Sequence, residues 1–125
     1  MASLTDYQTI CGNFNRSVSA SLALPEIAPE GTNVLVESGP IKIEMTVSDG
    51  EVKKIVIYSA KAQTPEFDET FEGFEGGLHI SDIKLFYAYQ ESVKNTATTA
   101  AVSKNVKVTY ITKSTDDLTA IFEVK

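Results

Sequence analysis

The chain has no tryptophan, one cysteine (Cys11) and one histidine (His79) among its 125 residues. Each scarcity removes a class of chemistry. A lone cysteine rules out an intrachain disulfide framework and is compatible with a reducing compartment or a virus particle. One cysteine and one histidine are too few for a zinc site built on nitrogen and sulfur. A Cys–His catalytic pair would have to bring both together in space, yet Cys11 falls on an apolar stripe, where a thiol packs as a small hydrophobe. His79 follows Gly76-Gly77-Leu78 at the expected start of a strand, a place for an exposed or hydrogen-bonded edge histidine. No Gly-x-x-x-x-Gly-Lys or Gly-x-Gly-x-x-Gly motif is present, and Gly73-Phe-Glu-Gly76-Gly77 lacks the lysine that a phosphate loop needs. No cofactor is expected.

Basic residues are also in short supply. Eleven Lys and Arg stand against seventeen Asp and Glu, a net charge of −6. The lysines are scattered, with only Lys53-Lys54 adjacent, and lack the basic stripe and interleaved aromatics of a nucleic-acid module, so nucleic acid is not an expected partner. No apolar run approaches the roughly 20 residues of a membrane span. Met1-Ala-Ser-Leu-Thr-Asp6 has no basic segment leading into an apolar core, so no signal peptide is read there. The expectation is no membrane and a cytoplasmic or virion location.

What is present reads as one domain of 125 residues, large enough to bury a core without disulfides. Its clearest signal runs from Ile41 to Tyr58. Asp49-Gly50 suits the two positive-φ positions of a type I′ turn, which closes a tight hairpin. A regular ladder from that turn sets Val47 opposite Val52, Met45 opposite Lys54, Ile43 opposite Val56 and Ile41 opposite Tyr58. One face is then apolar except for Lys54, and the other carries Lys42, Glu44, Thr46, Lys53, Ile55 and Ile57.

Before the hairpin, Leu4, Tyr7, Cys11 and Phe14 recur at helical spacing, with Ser3 as cap, Asp6 in a capping-box position and Gly12 as a stop. Val18, Ala20, Leu22 and Leu24 alternate with serines and read as a strand; a continued helix through Val18 and Leu22 competes with it. Val34-Leu-Val36 is a short strand. After the hairpin, Ile80 to Gln90 reads as a long strand with Ile83, Leu85, Tyr87 and Tyr89 on one side. Lys94 to Lys104, rich in Thr and Ala, suggests an exposed loop. Val106 to Thr112 and Leu118 to Val124 alternate as a second hairpin turned by Ser114-Thr-Asp-Asp117. The fold class is mainly β: an antiparallel sandwich or barrel of about seven strands, with a short N-terminal helix and one short acidic helix or loop.

That acidic segment holds the candidate site. Glu66, Asp68, Glu69, Glu72 and Glu75 fall within ten residues, and Phe67, Phe71 and Phe74 stand at i, i+4 and i+7. Calcium could use such oxygen ligands, but the spacing is not that of an EF-hand. A paired-carboxylate hydrolase site needs two acids held across a cleft, which sequence neighbours on one solvated face do not show. An amphipathic helix starting at Pro65 and ending at Gly76-Gly77 accounts for the pattern, docked on its own sheet or on a partner. Tyr87 and Tyr89, read on one strand face, join this segment as candidate interaction residues, because tyrosine suits contact surfaces. No catalytic or metal-binding residue is expected. The functional expectation is a non-enzymatic module that works through a protein partner or self-association, such as a virion component or a small acidic inhibitor. A β-sandwich or barrel binding a small ligand or carbohydrate is the alternative.

Overall fold

A computed structural model describes residues 3–61, 64–114 and 117–125. The chain runs β1 (Thr5–Asp6), α1 (Tyr7–Asn15), a 3-10 turn (Ala20–Leu22), β2 (Gly31–Ser38), β3 (Ile41–Ser48) and β4 (Glu51–Ser59). It continues through α2 (Pro65–Gly77), α3 (Ile83–Asn95), β5 (Thr98–Ser103), β6 (Val106–Ser114) and β7 (Asp117–Val124). All seven strands join one antiparallel sheet in the order β2-β3-β4-β7-β6-β5, with β1 paired to the start of β4. The expected mainly β, antiparallel, seven-stranded chain is therefore present. The path from β2 to β5 is open, so the expectation of a sandwich or barrel holds only in that coarser part.

Asp49 (φ 55°) and Gly50 (φ 76°) both occupy the left-handed region, as a type I′ turn requires. Beyond the turn, the ladder departs from the regular register. Val47 faces Val52, but Thr46 then faces Lys54, so Lys53 is the extra residue of a β-bulge. Met45 consequently meets Ile55 rather than Lys54, Ile43 meets Ile57 and Ile41 meets Ser59. The slip turns Ile55 and Ile57 from the expected outer face into the core and puts Lys54 outside. A one-residue shift reverses every side chain beyond it, and burying two isoleucines instead of one lysine decides its direction. The bulge sits where β4 changes its neighbour, from β1 at Glu51–Val52 to β7 from Lys54 onward.

The sheet's inner face presents Ile43, Met45, Ile55, Ile57, Val108, Tyr110, Ala120 and Phe122, which share one core cluster with residues of all three helices. In α1, Tyr7, Ile10, Cys11 and Phe14 are buried. Its cap is Asp6, which accepts hydrogen bonds from the Thr9 amide and hydroxyl, while Ser3 bonds Glu51 instead. Leu4 precedes the helix on the β1 pairing, and Gly12 lies inside the helix rather than ending it.

Residues 16–24 form neither the expected strand nor its competing helix. Asn15 takes both backbone groups of Leu24, donating to its carbonyl (3.1 Å) and accepting from its amide (2.7 Å). With the end of the segment satisfied in this way, it needs no ladder there and makes a 3-10 turn with Leu22 and Leu24 buried.

The larger correction is α3. Asp82 caps it by accepting from the Lys84 amide, and Leu85, Ala88 and Ser92, at i, i+3 and i+7, turn inward with the period of a helix. This period wins over the strand propensity of Phe86, Tyr87 and Tyr89. Helix α3 ends at Thr96 (φ 49°), and the Thr- and Ala-rich stretch beyond it is edge strand β5 rather than a loop. Ser92 and Thr112 share a hydrogen bond at 2.8 Å, and Thr99 donates to the Ala88 carbonyl, fastening α3 to β5 and β6. Strands β6 and β7 pair as the expected second hairpin; its turn at 115–116 lies outside the described residues.

Candidate functional site

Helix α2 begins at Thr64, whose hydroxyl accepts from the Phe67 amide, with Pro65 in the first turn. Phe67, Phe71 and Phe74 are buried, so the acidic segment docks on its own sheet. Burying three phenylalanines contributes roughly 5–9 kcal/mol. Gly73 and Gly77 face α1, where a Cβ would come within 2.9 Å of the Phe14 ring and 2.7 Å of Ile10 Cδ1. The glycines thus serve close helix packing. The left-handed residue that ends α2 is His79 (φ 58°), with its amide bonded to the Gly76 carbonyl and that of Ile80 to the Glu75 carbonyl. The histidine is exposed, at a helix end rather than at the start of a strand.

Between α2 and α3 lies a cleft of about 360 Å³. Its floor is aromatic. Phe67 stacks on Tyr89 (centroids 5.4 Å), Tyr89 tilts against Tyr110 (5.8 Å), and Tyr110 against Phe71 (5.6 Å). Helix α2 lines one side with Asp68, Glu72 and Glu75, which share a helix face at i, i+4 and i+7. Phe86 and Gln90 of α3 line the other. Of the ten residues expected at a contact surface, the cleft gathers Phe67, Asp68, Phe71, Glu72, Glu75 and Tyr89. It leaves out four. Glu66 lies in the first turn of α2, and Glu69 turns toward Ser19, whose hydroxyl donates to it (3.1 Å). Phe74 stacks on Phe14, and Tyr87 is exposed on the outer side of α3. The helical twist separates Tyr87 from Tyr89, which a strand would have kept together.

Sequence reasoning missed Phe86, Gln90 and Tyr110. Tyr110 carried a signal, because it continues the inward alternation of Val106 and Val108 on β6 and brings a hydroxyl into the core. That hydroxyl is buried and has no hydrogen-bond partner among the described residues. Burial, the Glu75 charge and Tyr89 all push the phenol far above its ordinary range, so it keeps its proton. Burial, with Glu72 beside it, also holds the Asp68 carboxyl above the usual value. Burial raises Glu75 too; a hydrogen bond from the Asp82 backbone offsets part of this, and the charges of Glu72 and Asp82 add to it.

Three carboxylates on one wall and aromatic rings on the floor make an electronegative slot. Such a slot attracts cations through both charge and ring quadrupoles. It is poorly arranged for paired-carboxylate catalysis, since the α3 wall contributes Phe86, Tyr89 and Gln90 but no second acid or imidazole. Among the described residues no group of three or more His, Cys, Asp or Glu could hold a metal ion, and no helix is long and apolar enough to cross a membrane. Comparison of the chain with family models, curated proteins and solved structures found no match.

Proposed function

We propose that this chain is a non-enzymatic protein-interaction module that meets a basic segment of a partner protein on its α2–α3 face. One observation carries the reading. Ile83, Phe86 and Tyr87, at i, i+3 and i+4 of α3, are 61%, 49% and 61% exposed, and Phe86 lines the cleft across from the acidic wall of Asp68, Glu72 and Glu75. An apolar stripe left in water on one helix, bordered by like charge on the next, is the composition of a contact patch with a charged rim. The complementary surface is aliphatic and positively charged. Charge on the rim would steer encounter and select the partner, while the α3 stripe would supply burial. Phe74 of α2 acts indirectly, by packing on Phe14 and holding the carboxylates in place.

The test uses two synthetic peptides of equal length, one alternating Leu with Lys and one alternating Leu with Glu, followed by fluorescence anisotropy. The Lys peptide should bind and weaken with added salt, since the screening length shrinks from about 10 Å to about 3 Å between 0.1 and 1 M. Replacing Glu66, Asp68, Glu69, Glu72 and Glu75 by Gln should abolish most of that binding without unfolding the chain. Equal binding of both peptides, or an unaffected variant, would put the contact surface elsewhere. Sedimentation of the protein alone identifies any self-association.

A further inference from the structure

The inner end of the cleft has a more specific chemistry than its acidic wall. Tyr110 is 0% exposed, and its hydroxyl is buried without a hydrogen-bond partner among the described residues. It lines the same cleft as Glu72 and Glu75. An unpaired phenol in a core is a standing cost, because it has given up water for nothing. Such a group lining a slot sets the chemistry of what would suit it.

The occupant's chemistry follows from the lining. Carboxylates only accept hydrogen bonds, and the phenol oxygen can accept one as well. What these groups lack is a compact donor with several N–H bonds and a positive charge. An alkylammonium supplies three donors and no acceptor, and its carbon stem can lie on Phe67 and Phe71. Aromatic rings around it add cation–π attraction. A neutral amide or hydroxyl would leave the acids uncompensated. A guanidinium matches a carboxylate best as a planar two-pronged pair, a geometry that does not use a single phenol oxygen.

We propose that the cleft is a lysine pocket: one lysine side chain of the partner enters between α2 and α3 and places its ammonium against Tyr110 Oη and the Glu72–Glu75 wall. This rests on the α2–α3 face being the interaction surface, and it names the residue that the surface selects. The exposed α3 stripe would hold the partner's flanking apolar residues, and the pocket would fix its register.

The experiment is a peptide with a single central lysine among Leu and Ser, compared with versions carrying norleucine or arginine at that position. Binding is followed by chemical shifts of the full chain and its Tyr110→Phe variant. The lysine peptide should bind the parent about tenfold more tightly than the norleucine peptide, the scale of one charge-assisted hydrogen bond. Tyr110→Phe should erase much of that preference while raising the melting temperature, because it removes an unsatisfied hydroxyl. A variant that lost stability through poor packing would not show that opposite pair of signs. Equal lysine and norleucine affinities, tighter arginine binding, or an unchanged preference in Tyr110→Phe overturns the lysine pocket. If the peptides nevertheless shift α2 and α3 resonances, the contact face survives without it. If none binds that face, both readings fall.

Discussion

Phe14 of α1 lies nearly parallel to Phe74 of α2, with ring centroids 4.1 Å apart and planes 19° from coplanar. The stack is allowed by its neighbour Gly73, whose missing Cβ leaves room for the Phe14 ring and Val18. A methyl group at Gly73 would sit 2.9 Å from Phe14 Cδ1, and that fully buried ring has nowhere to retreat. Gly73→Ala should therefore destabilise the fold by about 1–3 kcal/mol of overpacking, against which better helix propensity returns about 1 kcal/mol. Urea unfolding measures the difference. Stabilisation by Gly73→Ala would show that α1 and α2 are not this close.

His79 should be a liability that glycine cures. A side chain at φ 58° crowds the backbone, while glycine takes that conformation freely. His79→Gly should raise stability by about 0.5–1 kcal/mol, and His79→Val should lower it. If both variants melt alike, His79 does not end α2 in the left-handed conformation.

Asn15 closes α1 onto residues 16–24 through its two bonds to Leu24. Asn15→Ala would strand the Leu24 amide and leave its carbonyl only the long contact from the Cys11 thiol (4.0 Å), and should cost about 1–3 kcal/mol. Faster amide exchange at Leu24 is the local sign to look for. An unchanged exchange rate there would mean that the loop is held by its leucines alone.

Acidity should first stabilise this fold. Asp68 and Glu75 titrate above their ordinary values of 3.8 and 4.5, chiefly because burial disfavours their charge. The folded state thus holds protons more tightly than the unfolded chain, and stability rises as the pH falls through that window. Asp6 works the other way. Its bonds from Thr9 lower its pKa below 3.8, so its contribution is present above that value and is lost as the pH falls beneath it. The melting temperature should rise on mild acidification and fall on stronger acidification. Asp68→Asn with Glu75→Gln should flatten the rise; a parent whose melting temperature only falls would contradict the assignment.

Local chemistry was legible in the sequence where it did not depend on distant partners. Asp49-Gly50 announced its own turn, and the spacing of Phe67, Phe71 and Phe74 announced a buried helix face. The register beyond that turn was not legible, because the bulge at Lys53 depends on β4 changing neighbours from β1 to β7. Helix α3 was misread for a related reason. Leu85, Tyr87 and Tyr89 alternate like a strand, while Leu85, Ala88 and Ser92 also repeat like a helix, and only docking on β5 and β6 selects the second pattern. Five of the ten candidate residues line the cleft from α2, whose helical spacing was legible, and Tyr89 joins them from α3. Tyr87 separated from Tyr89 because α3 is a helix and not a strand.

A basic partner meeting the α2–α3 face should leave its mark residue by residue. Backbone amide shifts, recorded while the Leu–Lys peptide is titrated in, test it most directly. The largest changes should fall on Asp68 to Glu75, Ile83 to Gln90 and Tyr110, and should shrink as salt is added. Shifts concentrated instead on the outward sheet residues Lys42, Tyr58 and Ile121, or no shifts at all, would contradict it.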